Sequence, residues 1–114
     1  MREHPQKIEE LQIEIARVGA ELQAVREEIG SREALMTLDI VTARDEGGKP
    51  LYSNESLRAA ALTLAKEQSD ELNELKNREK TIEQTRGEMF ARLERLRLEF
   101  KLFLLDREAE IKRQ

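Results

Sequence analysis

Seven apolar residues near the start of the chain, Ile8, Leu11, Ile15, Val18, Leu22, Val25 and Ile29, follow one another at spacings of 3-4-3-4-3-4 without a fault. That is the a/d pattern of a coiled coil, sustained over three heptads. It predicts a helix whose narrow stripe is buried against another helix. The positions between are mostly Glu, Gln, Arg and Ala, and Ala16, Ala20 and Ala24 widen the stripe a little. Pro5 suits a first helical turn, where its missing N–H leaves nothing unpaired.

The register falters at Gly30-Ser31-Arg32, and the apolar set resumes as Leu35, Met36, Leu38, Ile40 and Val41. One helix with a register shift is expected over about 5–44. Asp45-Glu46-Gly47-Gly48-Lys49-Pro50 then breaks it, because paired glycines permit a left-handed turn and Pro50 forbids continuation. Ser53 or Asn54 can cap the next helix, with Glu55 favourable in its first turn. From Glu55 to Lys112 there is no proline and one glycine, Gly87. This predicts a single long helix over about 54–112 after a loop at 45–53. The fold class is therefore all-α: one domain over 1–114, a long antiparallel helical hairpin (coiled coil) that completes a four-helix bundle by self-association.

Composition supports a thin core. Charged residues are 39% and hydrophobic residues 39%, but aromatics are only 4% and Trp is absent. Such a chain buries stripes between helices instead of a thick globular core. Without cysteine there is no disulfide, thiol nucleophile or thiolate metal site. No run approaches the roughly 18–20 apolar residues of a membrane-spanning helix, and the polar start does not resemble a signal peptide. The expectation is a cytoplasmic protein with no membrane association. The net charge of −4 gives no general attraction for nucleic acid, although residues 86–114 carry +2 beside −5 over residues 1–46.

The greasiest stretch is LERLRLEFKLFLL, Leu93 to Leu105. A short connection makes the helices antiparallel neighbours. With the turn at Lys49-Pro50, residue n of the first helix lies level with about 99 − n of the second. The helices would be ~60 and ~85 Å long at 1.5 Å per residue, so Leu96 onward is expected to project past its partner. Leu93, Leu96, Leu98, Phe100, Leu102, Phe103 and Leu105 are thus the candidate protein-interface residues. Leu96, Phe100 and Phe103 lie on the main stripe; Leu98, Leu102 and Leu105 lie on a second. A contiguous apolar patch of this kind marks an interaction surface. Three arrangements bury it: a homo-oligomer (dimer or tetramer), a complex with another protein, or a fold-back at Arg86-Gly87 that makes a third helix.

Nothing in the sequence assembles a reaction centre. His4 is the sole histidine and is expected to be solvent-exposed. The paired carboxylates Glu9-Glu10, Glu27-Glu28 and Glu71/Glu74 read as helix surface charge. The Glu-x-x-His motif of di-metal bundles does not occur. Gly47-Gly48-Lys49 lacks the full phosphate-loop pattern. No catalytic residue, metal or cofactor is expected, and the chain reads as non-enzymatic. At the loop, Tyr52 beside Lys49 and Arg58 could hold a ligand or a nucleic-acid base, or could simply seal the end of the helix pair. Gln68, Glu79 and Arg86 interrupt the second stripe and either fix its register or face water.

The run Gly48-Lys49-Pro50-Leu51-Tyr52-Ser53-Asn54-Glu55, with Arg58 and Ala60 after it, resembles a segment of small coiled-coil helical-hairpin proteins of bacteria and their phages. The resemblance covers residues 45–65 and implies an accessory protein of such a system, without transferring any catalytic residue. The expected function is a coiled-coil scaffold or adaptor that binds a protein partner through its apolar C-terminal segment. The alternative is a nucleic-acid-associated accessory factor using the basic C-terminal third or the hairpin loop.

Overall fold

The computed structural model describes residues 3–113, and these are helical almost throughout. The elements are α1 (Glu3–Thr42), α2 (Glu55–Gln68) and α3 (Asp70–Arg113). The all-α class and a helical hairpin follow. The chain divides into two units, residues 1–22 with 81–114, and residues 23–80. In each, α1 is paired with the returning chain in antiparallel order.

In the first unit the stripe behaves as its spacing predicts. Leu11, Ile15, Val18 and Leu22 of α1 are buried, as are Ile82 and Leu93 of α3. Leu11, Ile15 and Leu93 form one cluster, with Ile8, Met89 and Leu96 packed against it. In the second unit Val25, Ile29, Ile40 and Leu72 are buried, and Leu72 has no exposed surface at all. The α3 positions that are buried or half-buried, from Leu72 through Leu75, Glu79, Ile82, Arg86, Met89, Leu93, Leu96 and Phe100 to Phe103, keep a faultless 3-4 alternation.

The polar residues in that series lie in the seam. Glu79 accepts from Arg26 Nε at 3.1 Å. Arg86 stacks over Phe90 at 5.2 Å and passes Gly19, where an added Cβ would meet Arg86 Nε at 3.5 Å. Gln68, by contrast, is exposed.

The connection is a tight hydrogen-bonded turn. Asp45 Oδ1 accepts from the backbone N–H groups of Gly47 and Lys49, both at 2.9 Å. Leu51 N donates to Ala43 O, and Arg44 and Pro50 form an isolated antiparallel bridge. Gly48 takes φ +79, the left-handed conformation that only glycine adopts without strain. Asn54 is the residue that caps α2, its Oδ1 accepting from Leu57 N at 2.9 Å. α1 ends at Thr42, two residues before the expected end.

The long second helix expected over 54–112 is corrected. It is broken at Ser69, whose backbone is extended (φ −83, ψ 106). Ser69 Oγ accepts from Leu72 N at 3.2 Å and caps α3, while Asp70 and Glu71 supply first-turn acids. Asn73 Nδ2 donates to Glu67 O at 3.2 Å and closes the end of α2. The fold-back considered at Arg86-Gly87 does not occur, since α3 runs through Gly87.

The break changes the register. Before it, Glu33 pairs with Lys66, residue numbers totalling 99 as the turn position predicts. After it, Arg32 pairs with Glu71 and Arg26 with Glu79, totals of 103 and 105. Ser69 therefore takes up about four residues, one helical turn or ~6 Å, without advancing along α1.

Candidate protein-interaction site

The register change relocates the expected interface. In the first unit His4 lies 3.8 Å from Glu99, a total of 103. Leu96 is then level with Ile8 and packs on the Leu11-Ile15-Leu93 cluster, so the expectation that Leu96 onward projects is corrected. Leu93 is 4% exposed. Phe100 and Phe103 are half-buried, with ring centroids 6.0 and 6.2 Å from the His4 imidazole.

His4 is thus not a surface residue, since its side chain is only 21% exposed. It occupies the next stripe position, four residues before Ile8, and closes the seam with an aromatic ring. That spacing was the available signal, and the polar character of the N-terminal stretch masked it. The protonated form would pair with Glu99; the neutral ring packs as an apolar body on the two phenylalanines.

The other three candidates behave differently. Leu98 is 57% exposed, Leu102 53% and Leu105 51%. They share the α3 face opposite the seam, and with Ala109 they keep a 4-3-4 spacing of their own. Leu104 and Ile111 are also exposed. The seven-residue interface therefore resolves into four residues that serve the intramolecular seam and three that stay about half exposed among the described residues.

The candidate loop contact does not form a cradle. Arg58 Nη1 donates to the Tyr52 carbonyl at 3.3 Å and is directed inward by it. Lys49 is held through its backbone, with its N–H on Asp45 Oδ1 and its carbonyl accepting from Asp45 N. The Tyr52 ring is half-buried and lines an apolar groove of about 410 Å³ with Ile40, Leu57, Ala61 and Leu64. Tyr52 is thus packed along the helix pair, half-buried at the edge of this groove.

Apolar periodicity alone does not reveal how many apolar residues α1 and α2 leave exposed around the turn. Beside half-buried Met36 and buried Ile40, α1 exposes Leu35 (60%), Leu38 (56%) and Val41 (50%), and α2 exposes Leu57 (47%) and Leu64 (53%). α2 has no buried residue. The overlooked signal is charge depletion. Ala34 to Thr42 holds one charged residue, Asp39, and Ala59 to Ala65 holds none, in a chain that is 39% charged.

The electrostatics are those of helix surfaces. Hydrogen bonding and attraction to Arg17 hold the Glu14 carboxyl below the usual carboxylate range. A 2.8 Å bond from Lys66 does the same for Glu33. No group of three or more His, Cys, Asp or Glu residues that could hold a metal ion occurs among the described residues. No helix among them is long and apolar enough to cross a membrane. No protein-family model, curated protein or solved structure matches this chain.

Proposed function

We propose that this protein is a non-catalytic coiled-coil scaffold or adaptor that assembles with another copy of itself through the outer face of α3. The observation that carries this reading is the stripe of Leu98, Leu102 and Leu105, half exposed on a helix whose opposite face is already packed. Burying a large aliphatic side chain contributes about 1.5–3 kcal/mol, so three left in water on consecutive turns favour a partner helix. The heptad-compatible spacing supports a helix as that partner. The depressed carboxylates are explained by neighbouring surface cations, Glu14 by Arg17 and Glu33 chiefly by Lys66 with a contribution from Lys76, which favours a structural role for these charges over acid–base work.

Light scattering on a sizing column at several concentrations tests the reading. The native protein is expected to run as a dimer or larger, with a mass that falls on dilution. Leu98→Glu combined with Leu102→Glu is expected to lower that mass with helix content unchanged, because both side chains already face water within one chain. An unchanged mass in this variant would remove α3's outer face as the assembly surface.

A further inference from the structure

We propose that the outer face of α3 pairs with the same face of a second copy in parallel and in register, with Lys101 of each copy bound to Asp106 of the other. This rests on the α3 reading above and adds the alignment and the charges that select it.

The first argument is a pair of charges left over. From Glu94 to Arg113, every charged residue except two has an opposite charge three or four positions away, the spacing at which helix neighbours meet. Two such pairs are formed, Arg97 with Glu94 at 3.6 Å and Lys112 with Glu108 at 3.5 Å. The exceptions are Lys101 and Asp106. Lys101 has Arg97, Leu98, Leu104 and Leu105 at those spacings, and Asp106 has Leu102, Phe103, Ala109 and Glu110. Both are exposed, so their own helix leaves each of them to another partner.

The second argument is their position. Leu98, Leu102, Leu105 and Ala109 alternate 4-3-4, which makes Leu102 an a residue and Leu105 a d residue of the outer stripe. Lys101 precedes a and is therefore a g residue; Asp106 follows d and is an e residue. In a parallel pair each g residue reaches the e residue five positions on in the partner, and such pairs set orientation and partner choice. Lys101 and Asp106 are five apart. A two-fold axis along the stripe makes the bridge twice, on either side of the Leu102 and Leu105 layers. Glu108 meets Arg113 at the same interval. Glu94 meets Glu99, but these two already face cations or a histidine of their own chain: Glu94 has Arg97, and Glu99 lies 3.8 Å from His4.

The third argument is what the reverse alignments do. Antiparallel helices set g against g and e against e. With Leu102 over Leu105 of the second copy, Lys101 gains Glu108, but Glu99 is set against Asp106 and Arg92 against Arg113. With Leu98 over Leu102, Lys101 meets its own counterpart and Glu94 meets Glu108. Each reverse alignment sets more like charges together than opposite ones, whereas the parallel one does the opposite. The occupant is thus chosen by complementarity: the stripe carries on its two edges the charges that a parallel copy of itself requires.

The test uses the full chain, with light scattering and sedimentation equilibrium for mass and far-UV circular dichroism as the folding control. The native chain has no cysteine, so an introduced one is the sole thiol. In the parallel pair Ala109→Cys faces itself across the axis, at the separation a disulfide spans, roughly 4.4–6.8 Å between Cα atoms. With Leu102 over Leu105 in reverse, the two thiols stand eleven residues, ~16 Å, apart along the axis. Under mild oxidation Ala109→Cys is expected to form a linked dimer much faster than Ser31→Cys, an exposed thiol on α1 that reports random collision. Asp106→Lys replaces two opposite-charge pairs by two like ones and should raise the dissociation constant on the order of tenfold at low ionic strength. That difference should shrink in about 1 M salt, where the screening length is ~3 Å. Lys101→Glu combined with Asp106→Lys should restore the native value. Suppose Leu98→Glu with Leu102→Glu lowers the mass, yet Ala109→Cys couples no faster than Ser31→Cys or Asp106→Lys tightens the dimer by meeting Glu99. The parallel alignment is then overturned while the α3 face stands. A native chain that is monomeric at every concentration, or a mass unmoved by Leu98→Glu with Leu102→Glu, would overturn the face and this alignment with it.

Discussion

Two serines offer a sharp test of the break in the second helix. Ser31 is exposed inside α1, and Ser69 stands between α2 and α3 with its Oγ on Leu72 N at 3.2 Å. Each can be replaced by alanine, a chemically identical change. Within a helix, serine is disfavoured relative to alanine by up to ~0.7 kcal/mol, so Ser31→Ala should be neutral or slightly stabilising. At an N-cap the same change removes a hydrogen-bond acceptor and costs about 0.5–2 kcal/mol, centrally ~1. The variant chain could escape by winding α2 and α3 into one helix. That would undo the four-residue register change and draw Leu72, the most deeply buried residue, out of its place. Each large apolar residue displaced from the seam forfeits about 1.5–3 kcal/mol, so the break should persist and the lost cap should be felt. Ser69→Ala is therefore expected to lower stability by ~1 kcal/mol, or about 4–8 °C in Tm for a domain near this size. Urea and thermal unfolding followed by far-UV circular dichroism, at one fixed protein concentration, would report it. If the two substitutions shift the midpoint equally, or Ser69→Ala stabilises, Ser69 is not a cap and the register argument fails with it.

Two further outcomes follow from burial and charge. Leu72→Ala should destabilise by about 2–5 kcal/mol, the range for a fully enclosed leucine, whereas Leu35→Ala, at 60% exposure, should shift the unfolding midpoint little in a protein held dissociated by dilution; equal losses would contradict the assigned burial. Glu33 is held below its ordinary pKa by Lys66. A depressed folded-state pKa contributes stability above the unfolded value and loses it as pH falls through the folded one. Glu33→Gln should therefore cost a part of about 0.2–1 kcal/mol at pH 7 and nothing in acid below the folded pKa of Glu33, measured as the difference in urea midpoint from the native protein. A difference that survives acid would assign the effect to packing.

Much of the fold was legible because it rests on period and punctuation. The stripe from Ile8 to Ile29 marks buried positions on α1, since Ile8 is half-buried and all six stripe residues after it are buried. The breaker at Asp45 to Pro50 sets the turn, and Asn54 caps α2 as one of its two candidates. What escaped was the second break. Ser69-Asp70-Glu71 is a capping serine followed by two first-turn acids, a recognised start signal. It has no glycine or proline beside it, and an apolar-periodicity reading passes over it because the alternation from Leu72 onward is faultless. A cap that leaves periodicity intact is visible only when residues are weighed for hydrogen bonding as well as for hydrophobicity.

That one omission explains why the interface was drawn too large. Register counted from the turn is correct at Glu33 with Lys66 and wrong by about one helical turn at Arg32 with Glu71. Carried down α3, the error leaves Leu96, Phe100 and Phe103 without a partner, when in fact Ile8 and His4 meet them. Adding the turn to the second helix brings them level with α1, but it cannot turn Leu98, Leu102 and Leu105 towards it. Those three lie on the opposite face, where no axial shift supplies a neighbour. Their exposure is therefore insensitive to the register that the seam residues depend on, and this is the physical reason they, and not the whole Leu93–Leu105 segment, carry the assembly proposal.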